Sequence, residues 1–398
     1  MKAHHFKTLL ANLIPLMLLP VLILGCKSYS ENPYNYRIPE QVEDGITVGT
    51  LSDAGIDTSL IQEAVTRIRN GAYGAVHSIL IYRKGKLVLE EYFPGYTYKW
   101  DAPAHQGQWV NFDKDRPHSI MSDTKSITST CIGIAIEKGF IESVDQSIFD
   151  YLPDHQHLKT DGKDKISIEH LLTMTPGLEW YEWNAPYSSN KNPIIGIWFS
   201  DKDPVSFILE GELRYEPGTH YSYYGGNQIL LGEIIRHATS MAIDEFSQKY
   251  LFDPLGIDSA DWNVRFPNGV IEAAGGLLLK PRDMLKVGVT YLEDGRWNGQ
   301  QILTKDWIEK SAMPYPANLS IKVPGEDYGR SGYSYSWWTK TFTEAGKENN
   351  IYWAGGWGGQ KIIVMPDHEA AVVFTGGNYT SKVRQFGVIE DYILPAFK

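Results

Sequence analysis

β-Branched and aromatic residues are concentrated in two parts of this 398-residue chain, one near each end. The first part contains two segments typical of strands, Ser78–Arg83 and Lys86–Phe93, on either side of Lys84-Gly85. The second part lies between residues 333 and 375, and mostly helical spacing separates the two. This order predicts an α/β (α+β) fold, in which an antiparallel sheet is flanked by helices and an all-α domain is inserted.

The predicted elements have approximate bounds. The strands of the second part are Tyr333–Thr339, Ile351–Ala354, Lys361–Met365 and Ala370–Thr375. The predicted helices are Ser59–Asn70, Lys125–Lys138, Ile168–Met174, Pro204–Glu210, Gln228–Thr239, Ala242–Phe252 and Ser381–Ile393. The α/β part then covers about 51–121 and 265–398, and the helical insert covers about 126–262. We expect the ligand site in the cleft between these two parts.

The N-terminus resembles a bacterial export signal. Lys2 and Lys7 precede the apolar stretch Leu9–Leu24, which is short and contains two prolines, so it does not predict a membrane span. Gly25-Cys26 then resembles a lipobox. We therefore expect a signal peptide at 1–25, lipidation of Cys26 as a membrane anchor, a tether at 26–50, and a periplasmic or cell-surface location. The alternative is an ordinary signal peptide with an incidental cysteine.

Composition excludes several function classes. The formal net charge is −11 and no basic stripe appears, which argues against nucleic-acid partners. The chain has two cysteines, so lipidation of Cys26 would leave Cys131 alone, without a disulfide framework. No His-Glu-x-x-His spacing occurs, and we predict neither a metal site nor a cofactor.

Ser122-Asp123-Thr124-Lys125 is an S-x-x-K motif at the predicted start of a buried helix. Residues three apart lie on one helix face, which places Lys125 one turn behind Ser122. A serine hydroxyl needs a base to become a nucleophile, and burial can lower the pKa of a lysine enough for that role. A second S-x-x-K, Ser188–Lys191, lies in a polar loop and is interpreted as a solvated turn.

Two further motifs could take part in catalysis. The tyrosines within Tyr221–Asn227 could place a phenol near the lysine as a proton shuttle, or could simply pack. The glycine-rich segment Trp353–Gln360 could offer bare N–H groups for an oxyanion hole, or could form a β-bulge or tight turn.

The fixed order of these three motifs resembles the serine β-lactamase and penicillin-binding-protein superfamily, whose first motif is S-x-x-K. The chain looks most similar to its class C-like branch of esterases, D-aminopeptidases and 6-aminohexanoate-dimer hydrolases. Supporting stretches are Gly85–Val88, Ile168–Gly177, Leu255–Ile257, Pro281–Met284 and Gly358–Gln360. The resemblance implies a β-lactamase/transpeptidase-like fold. It also implies that Ser122 is the acylated nucleophile, Lys125 its base, Tyr223 the second-motif tyrosine, and Gly356 with the Ser122 N–H the oxyanion hole.

Two positions depart from that pattern. The family's Tyr-x-Asn appears as Tyr223-Tyr224-Gly225, and Asn227 follows two residues later. The third motif has Trp353 where relatives carry a lysine or histidine that holds a substrate carboxylate. We therefore expect Trp353 and Trp357 to offer an apolar surface to uncharged substrates. Trp180 and Tyr181 are further candidates, which either line the cleft or pack beneath it.

The sequence as a whole predicts a serine hydrolase that cleaves a small-molecule ester or amide through an acyl-enzyme on Ser122. One alternative is a β-lactamase or D-Ala-type peptidase. Another is a non-catalytic binding lipoprotein, although such a protein has no need of Ser122, Lys125 and Tyr223 together.

Overall fold

A computed structural model describes residues 33–344 and 347–397 of the chain. The predicted signal peptide and Cys26 lie outside the described residues. The predicted tether at 26–50 is wrong for residues 33–50, which pack on the folded domain. Tyr34 belongs to the core, and the Tyr36 hydroxyl donates a hydrogen bond to the Val88 carbonyl at 2.9 Å.

One large antiparallel sheet joins the two ends of the chain. Its strand order is β10-β11-β12-β13-β14-β15-β1-β2. These strands are β1 Val76–Arg83, β2 Lys86–Tyr92, β10 Ile321–Lys322, β11 Arg330–Ser334, β12 Trp337–Glu344, β13 Lys347–Gly356, β14 Gln360–Met365 and β15 Ala370–Gly376. β1 is buried along its whole length and pairs with β15 on one side and β2 on the other. The prediction that both strand-rich parts form one antiparallel sheet is confirmed.

Smaller strand pairs surround this sheet. They are the hairpin β3 Pro94–Tyr98 with β4 Gln106–Asn111, the group β5 His118–Ser119, β6 Asp261–Trp262 and β7 Leu277–Leu279, and the pair β8 Arg296–Trp297 with β9 Gln300–Gln301. β5 matters most for the site, because it pairs with β7 and leads directly into the S-x-x-K motif.

Helices occupy the middle of the chain and also occur towards both of its ends. They are α1 Thr58–Arg69, α2 Asp123–Glu137, α3 Ile168–Leu172, α4 Pro193–Gly196, α5 Pro204–Leu209, α6 Gly226–Thr239, α7 Ile243–Ser247, α8 Pro281–Leu292, α9 Lys305–Ala312, α10 Gln385–Val388 and α11 Leu394–Ala396. Every named element from 123 to 252 is helical. None of the described helices is both long and apolar enough to cross a membrane.

α2 is buried around nearly its whole circumference although it is rich in serine and threonine. Its hydroxyls donate to backbone carbonyls of neighbouring segments: Ser126 to Ser336 at 2.6 Å, and Thr128 to Ala273 at 2.8 Å. Small side chains allow this close approach, and satisfied hydroxyls can be buried at low cost. The helix that begins at the S-x-x-K motif is therefore fixed by contacts on several sides.

Some element boundaries differ from the predictions. The N-cap of α1 is Asp57, whose carboxylate accepts from the Ser59 N–H at 2.9 Å, so the helix starts before the predicted Ser59. The predicted strand 333–339 is two strands, because Tyr335 and Ser336 take positive φ and form the β11–β12 turn. α8 and α9 were not predicted as helices.

Candidate active site

The backbone turns sharply just before the S-x-x-K motif. Met121 has a φ of +50°, a conformation that is uncommon for residues other than glycine. Ser122 follows as the residue that precedes α2, and the Lys125 N–H donates to the Ser122 carbonyl at 3.0 Å. Backbone strain of this kind clusters at functional sites, where the surrounding packing maintains it.

Lys125 is placed as the motif predicts. Its Nζ donates to Ser122 Oγ at 2.9 Å and to the Ala274 carbonyl at 2.8 Å. Burial lowers the pKa of Lys125, while the carboxylates of Glu182 and Glu272 act in the opposite direction. A lysine that loses its proton more readily than usual is suited to accept one from Ser122.

Tyr223 completes the predicted group. The Lys125 Nζ lies 5.0 Å from the centroid of the Tyr223 ring, and this ring stacks on Trp183 with centroids 4.9 Å apart. Burial raises the pKa of Tyr223 well above its usual value, with Glu182 adding to the rise and a hydrogen bond with Ser122 opposing it. The structure thus brings together the three side chains that the sequence assigned to catalysis.

A buried carboxylate, Glu182, links two loops beside these residues. It accepts hydrogen bonds from Trp180 Nε1 and the Tyr187 hydroxyl, both at 2.9 Å, and from the Gly225 N–H at 2.6 Å. The same carboxyl group lies close enough to Lys125 and Tyr223 to raise the pKa of each.

Glycine at position 225, where the Tyr-x-Asn pattern has asparagine, leaves room for Glu182. A Cβ at position 225 would lie 2.9 Å from Glu182 Oε2 and 3.0 Å from Ile194 Cδ1. Asn227 does not replace the missing asparagine, because it is buried in α6 and its Nδ2 donates to the Leu171 carbonyl at 3.0 Å. Glu182 occupies the space next to the second motif instead.

Gly356, the predicted oxyanion-hole residue, ends β13 beside the segment that precedes Ser122. A Cβ at 356 would overlap the carbonyl oxygen of Ile120, so this position requires glycine. The backbones of β13 and of the nucleophile segment are therefore in direct contact. The role of Gly356 as a donor stays a prediction.

A cavity of about 700 Å³ opens over Ser122. Its lining includes the catalytic candidates Ser122 and Lys125, the acids Glu182 and Glu272, and mostly apolar or aromatic side chains. Trp357 belongs to the lining, as predicted from the sequence.

The other predicted substrate contacts are placed differently. The prediction that Trp353 contacts the substrate is wrong, because its side chain is 0% exposed and packs against Tyr328 and Phe386. Of the two roles considered for Trp180, the structure agrees with packing and not with lining the cleft: Trp180 is 4% exposed and its indole N–H donates to Glu182. Tyr181 is 50% exposed and lies outside the cavity lining. Along β13, the side chain at 353 points into the core behind the site, which a sequence motif alone does not reveal.

Lys361 and Arg330 are the two cationic side chains that could bind a substrate carboxylate in place of the missing lysine of the third motif. Both lie away from the cavity. Lys361 is fully buried, and its Nζ forms an ion pair with Glu326 at 2.8 Å. Arg330 is exposed and donates to the Ser320 carbonyl at 2.7 Å. Neither lines the cavity.

Sequence reasoning missed Glu182, Glu272 and His118, all of which line the cavity. His118 Nε2 is 2.9 Å from His77 Nδ1, and burial lowers the pKa of His118 to about 4. Only Glu182 had a visible signal in the sequence, as an acid within an aromatic run. The other two residues reach the cavity through packing between distant segments.

The second S-x-x-K is an exposed turn, as predicted. The described residues contain no group of three or more candidate metal ligands.

Comparison with known proteins identifies the family. The family model described as Beta-lactamase matches residues 59–385, which is most of the chain. The chain belongs to the beta-lactamase family. The matched residues include all three motifs, and the predicted fold and family are therefore confirmed.

Two curated relatives and one solved structure are similar to this chain at 25% identity or less. A "6-aminohexanoate-dimer hydrolase" of Paenarthrobacter ureafaciens is 25% identical over 270 residues, 66% of this chain and 67% of that protein. A "Putative D-alanyl-D-alanine carboxypeptidase" of Salmonella agona (strain SL483) is 25% identical over 226 residues, 55% of this chain. The chain spans about half (51%) of the length of that relative. The crystal structure of a family VIII carboxylesterase has a TM-score of 0.63 at 14% identity, covering 85% of this chain and 96% of that one, and supports the fold.

Proposed function

We propose that this protein is a serine hydrolase that cleaves an ester or amide through an acyl-enzyme on Ser122. The observation that carries the proposal is the 2.9 Å contact between Lys125 Nζ and Ser122 Oγ, at the floor of a largely apolar cavity. A nucleophile within hydrogen-bonding reach of a base is the arrangement that covalent catalysis requires.

In the proposed reaction, Ser122 Oγ attacks the substrate carbonyl carbon and its proton passes to the Lys125–Tyr223 pair. The oxyanion accepts hydrogen bonds from the N–H groups of Ser122 and Gly356. Tyr223 then protonates the leaving alcohol or amine, and the carbon–heteroatom bond breaks. Water attacks the acyl-enzyme and gives a proton to the same pair. The pair passes this proton to Ser122 Oγ as the bond between Oγ and the acyl carbon breaks, which releases a carboxylic acid and restores the Ser122 hydroxyl. No cofactor takes part in these steps.

Labelling with a fluorophosphonate probe tests the nucleophile. The wild type should be labelled and should hydrolyse p-nitrophenyl esters, and Ser122→Ala should lose both properties. We expect a loss of about 10³-fold or more in kcat. Ser188→Ala is the matched control, because Ser188 belongs to the exposed S-x-x-K turn. Activity that survives in Ser122→Ala and disappears in Ser188→Ala would overturn the assignment.

A β-lactamase or D-Ala-type peptidase is the rival within the family. Both act on substrates with a carboxylate, and among the described residues that line the cavity Lys125 is the only lysine or arginine that could bind one. Rapid turnover of nitrocefin or of a D-Ala-D-Ala peptide, compared with a neutral ester, would favour the rival.

We also propose that the protein is an exported bacterial lipoprotein, periplasmic or on the cell surface, with Cys26 as its lipid anchor. The lipobox-like Gly25-Cys26 after an apolar stretch supports this. A palmitate analogue fed to expressing cells should label the wild type, while Cys26→Ser should stay unlabelled. Cys131→Ser is the control, because Cys131 is buried in α2. An unlabelled wild type cut at another site would indicate an ordinary signal peptide.

A further inference from the structure

We propose that the cavity over Ser122 selects apolar esters or amides that carry a cationic amine, and that it rejects carboxylates. This inference rests on the proposed function, since it names the substrate class of the same site. It comes from the charges and the aromatic surfaces of the cavity wall.

The wall is built largely from aromatic side chains. The cavity volume of about 700 Å³ lies within the range of sites for small organic ligands. Its aromatic lining residues are Tyr98, Trp100, Phe112, Tyr187, Trp198, Phe199 and Trp357. They come from the β3–β4 hairpin region, from the α4 segment, and from the end of β13, so they surround the nucleophile from several directions.

The mouth of the cavity exposes several of these rings. Trp100 is 47% exposed, Trp198 is 38% exposed and Phe199 is 65% exposed. An aromatic face attracts a cation through its quadrupole, most strongly when the ring is tryptophan and water is partly excluded. Such a mouth favours an apolar chain that ends in an ammonium group over one that ends in an anion.

The cavity wall contains two carboxyl groups and one amine. Among the described lining residues, the acids are Glu182 and Glu272, and Lys125 is the only lysine or arginine. Burial raises the pKa of Glu272, and the positive charge of Lys125 opposes that rise. Glu182 is held in place in this wall by the three hydrogen bonds that it accepts. His118 adds no positive charge near pH 7, because burial lowers its pKa to about 4.

Lys125 does not offset these acids for an incoming anion. Its Nζ is already bonded to Ser122 Oγ and to the Ala274 carbonyl, and in the proposed reaction it must be neutral to accept a proton. Lys361 is held by Glu326 in the core. Among the described lining residues, a substrate carboxylate would therefore meet two acidic side chains and no free cation, whereas an ammonium would be attracted to these acids.

Three matched p-nitrophenyl esters test the inference. The cationic ester is 4-(trimethylammonio)butyrate, its neutral isostere is 5,5-dimethylhexanoate, and the anionic ester is the adipate monoester. After subtraction of spontaneous hydrolysis, we expect kcat/KM to fall in the order cationic, neutral, anionic. The span between the two charged esters should be about tenfold or more at low salt and should shrink as salt is added.

Removal of one acid at a time locates the effect. Glu182→Gln and Glu272→Gln should each reduce the ratio of kcat/KM between the cationic and the neutral ester by about threefold to tenfold. The ratio is the readout, because loss of Glu182 also disturbs the turn at Gly225 and lowers both rates. Glu179→Gln is the control, since Glu179 is exposed and pairs with Arg214 outside the cavity. It should leave the ratio unchanged.

Two results would overturn the inference: a wild type that hydrolyses the adipate ester as well as its neutral counterpart, or ratios that neither glutamate variant changes. The comparison of the three esters on the wild type tests the inference even if a glutamate variant does not fold. A protein that labels with fluorophosphonate and hydrolyses the neutral ester without charge preference would contradict this inference alone. A protein with no labelling and no turnover of any ester would contradict the proposed function as well.

Discussion

The Gly225 N–H donates a 2.6 Å hydrogen bond to Glu182 Oε2, and this carboxylate fills the space where a side chain at 225 would begin. The second motif of the chain and the loop that carries Glu182 are therefore interdependent. An asparagine cannot be present at 225 while Glu182 holds its position, and Glu182 fixes the turn that follows Tyr223.

The first prediction concerns this pair. Gly225→Asn should displace Glu182 and destabilise the protein by about 1–3 kcal/mol, the usual cost of overpacking, and should lower kcat. Glu182→Ala with Gly225→Asn should recover part of the activity, because the clash is removed. Urea unfolding and ester hydrolysis measure both effects. Glu182→Ala alone is the control, since it removes the carboxylate without adding a side chain at position 225. A fully active Gly225→Asn single variant would contradict the steric argument.

The second prediction concerns the coupling of Lys125 and Tyr223. Lys125→Ala and Tyr223→Phe should each lower kcat far more than they change KM, because both act on the transition state. The double variant should be little worse than either single variant, since residues that act as a unit are not additive. Steady-state kinetics on a neutral ester measures this.

Tyr221→Phe is the matched control for Tyr223→Phe. Tyr221 lies two residues away, and its buried hydroxyl has no hydrogen-bond partner among the described residues. Its removal should leave kcat unchanged and should not lower stability. A near-normal kcat in Tyr223→Phe would remove that residue from the mechanism.

The third prediction concerns the acid limb of the pH–rate profile. If neutral Lys125 is the base, kcat/KM should fall as pH drops below the pKa of Lys125, which burial holds under its ordinary value. Glu272 is a nearby carboxylate that raises the pKa of Lys125. Glu272→Gln should therefore move the limb to lower pH, by up to about one unit. A profile with a neutral ester in which the limb does not move, or moves to higher pH, would refute this.

The fourth prediction concerns stability and the buried pair His77–His118. Burial lowers the pKa of His77 to about 3 and that of His118 to about 4. The unfolded chain therefore binds more protons than the folded one between about pH 6.5 and pH 4. The neutral pair therefore stabilises the folded protein above pH 6.5. As pH falls, the free energy of unfolding decreases by on the order of 3 kcal/mol.

Urea unfolding of wild type and His118→Gln between pH 7.5 and pH 4.5 tests this. The wild-type free energy of unfolding should fall more steeply with decreasing pH than that of the variant. His220→Gln, at an exposed site, should keep the wild-type slope. Equal slopes in wild type and His118→Gln would show that the pair does not titrate as described.

The sequence alone determined the fold class, the family and the central pair of the site. Strand-forming residues lie near both ends of the chain and helical spacing lies between them. This order restricts the possible arrangements to a sheet that joins both ends, with the helices inserted between its strands. The S-x-x-K spacing at a helix start places Ser122 and Lys125 on one face, because both lie within a single turn. These features depend on neighbours in the chain, so local pattern is enough to find them.

Only the tertiary structure decided what surrounds that pair. Whether Trp353 faces a substrate or the core depends on which side of β13 the helices cover, and it turned out to pack with Tyr328 and Phe386. Glu272 is 150 residues from Ser122 in the chain and reaches the cavity through the packing around Ala274. Glu182 took the place of the missing asparagine through a contact across 43 residues. Such contacts depend on packing between segments that are far apart in the chain. They leave no periodic pattern or motif in the sequence by which they could be predicted.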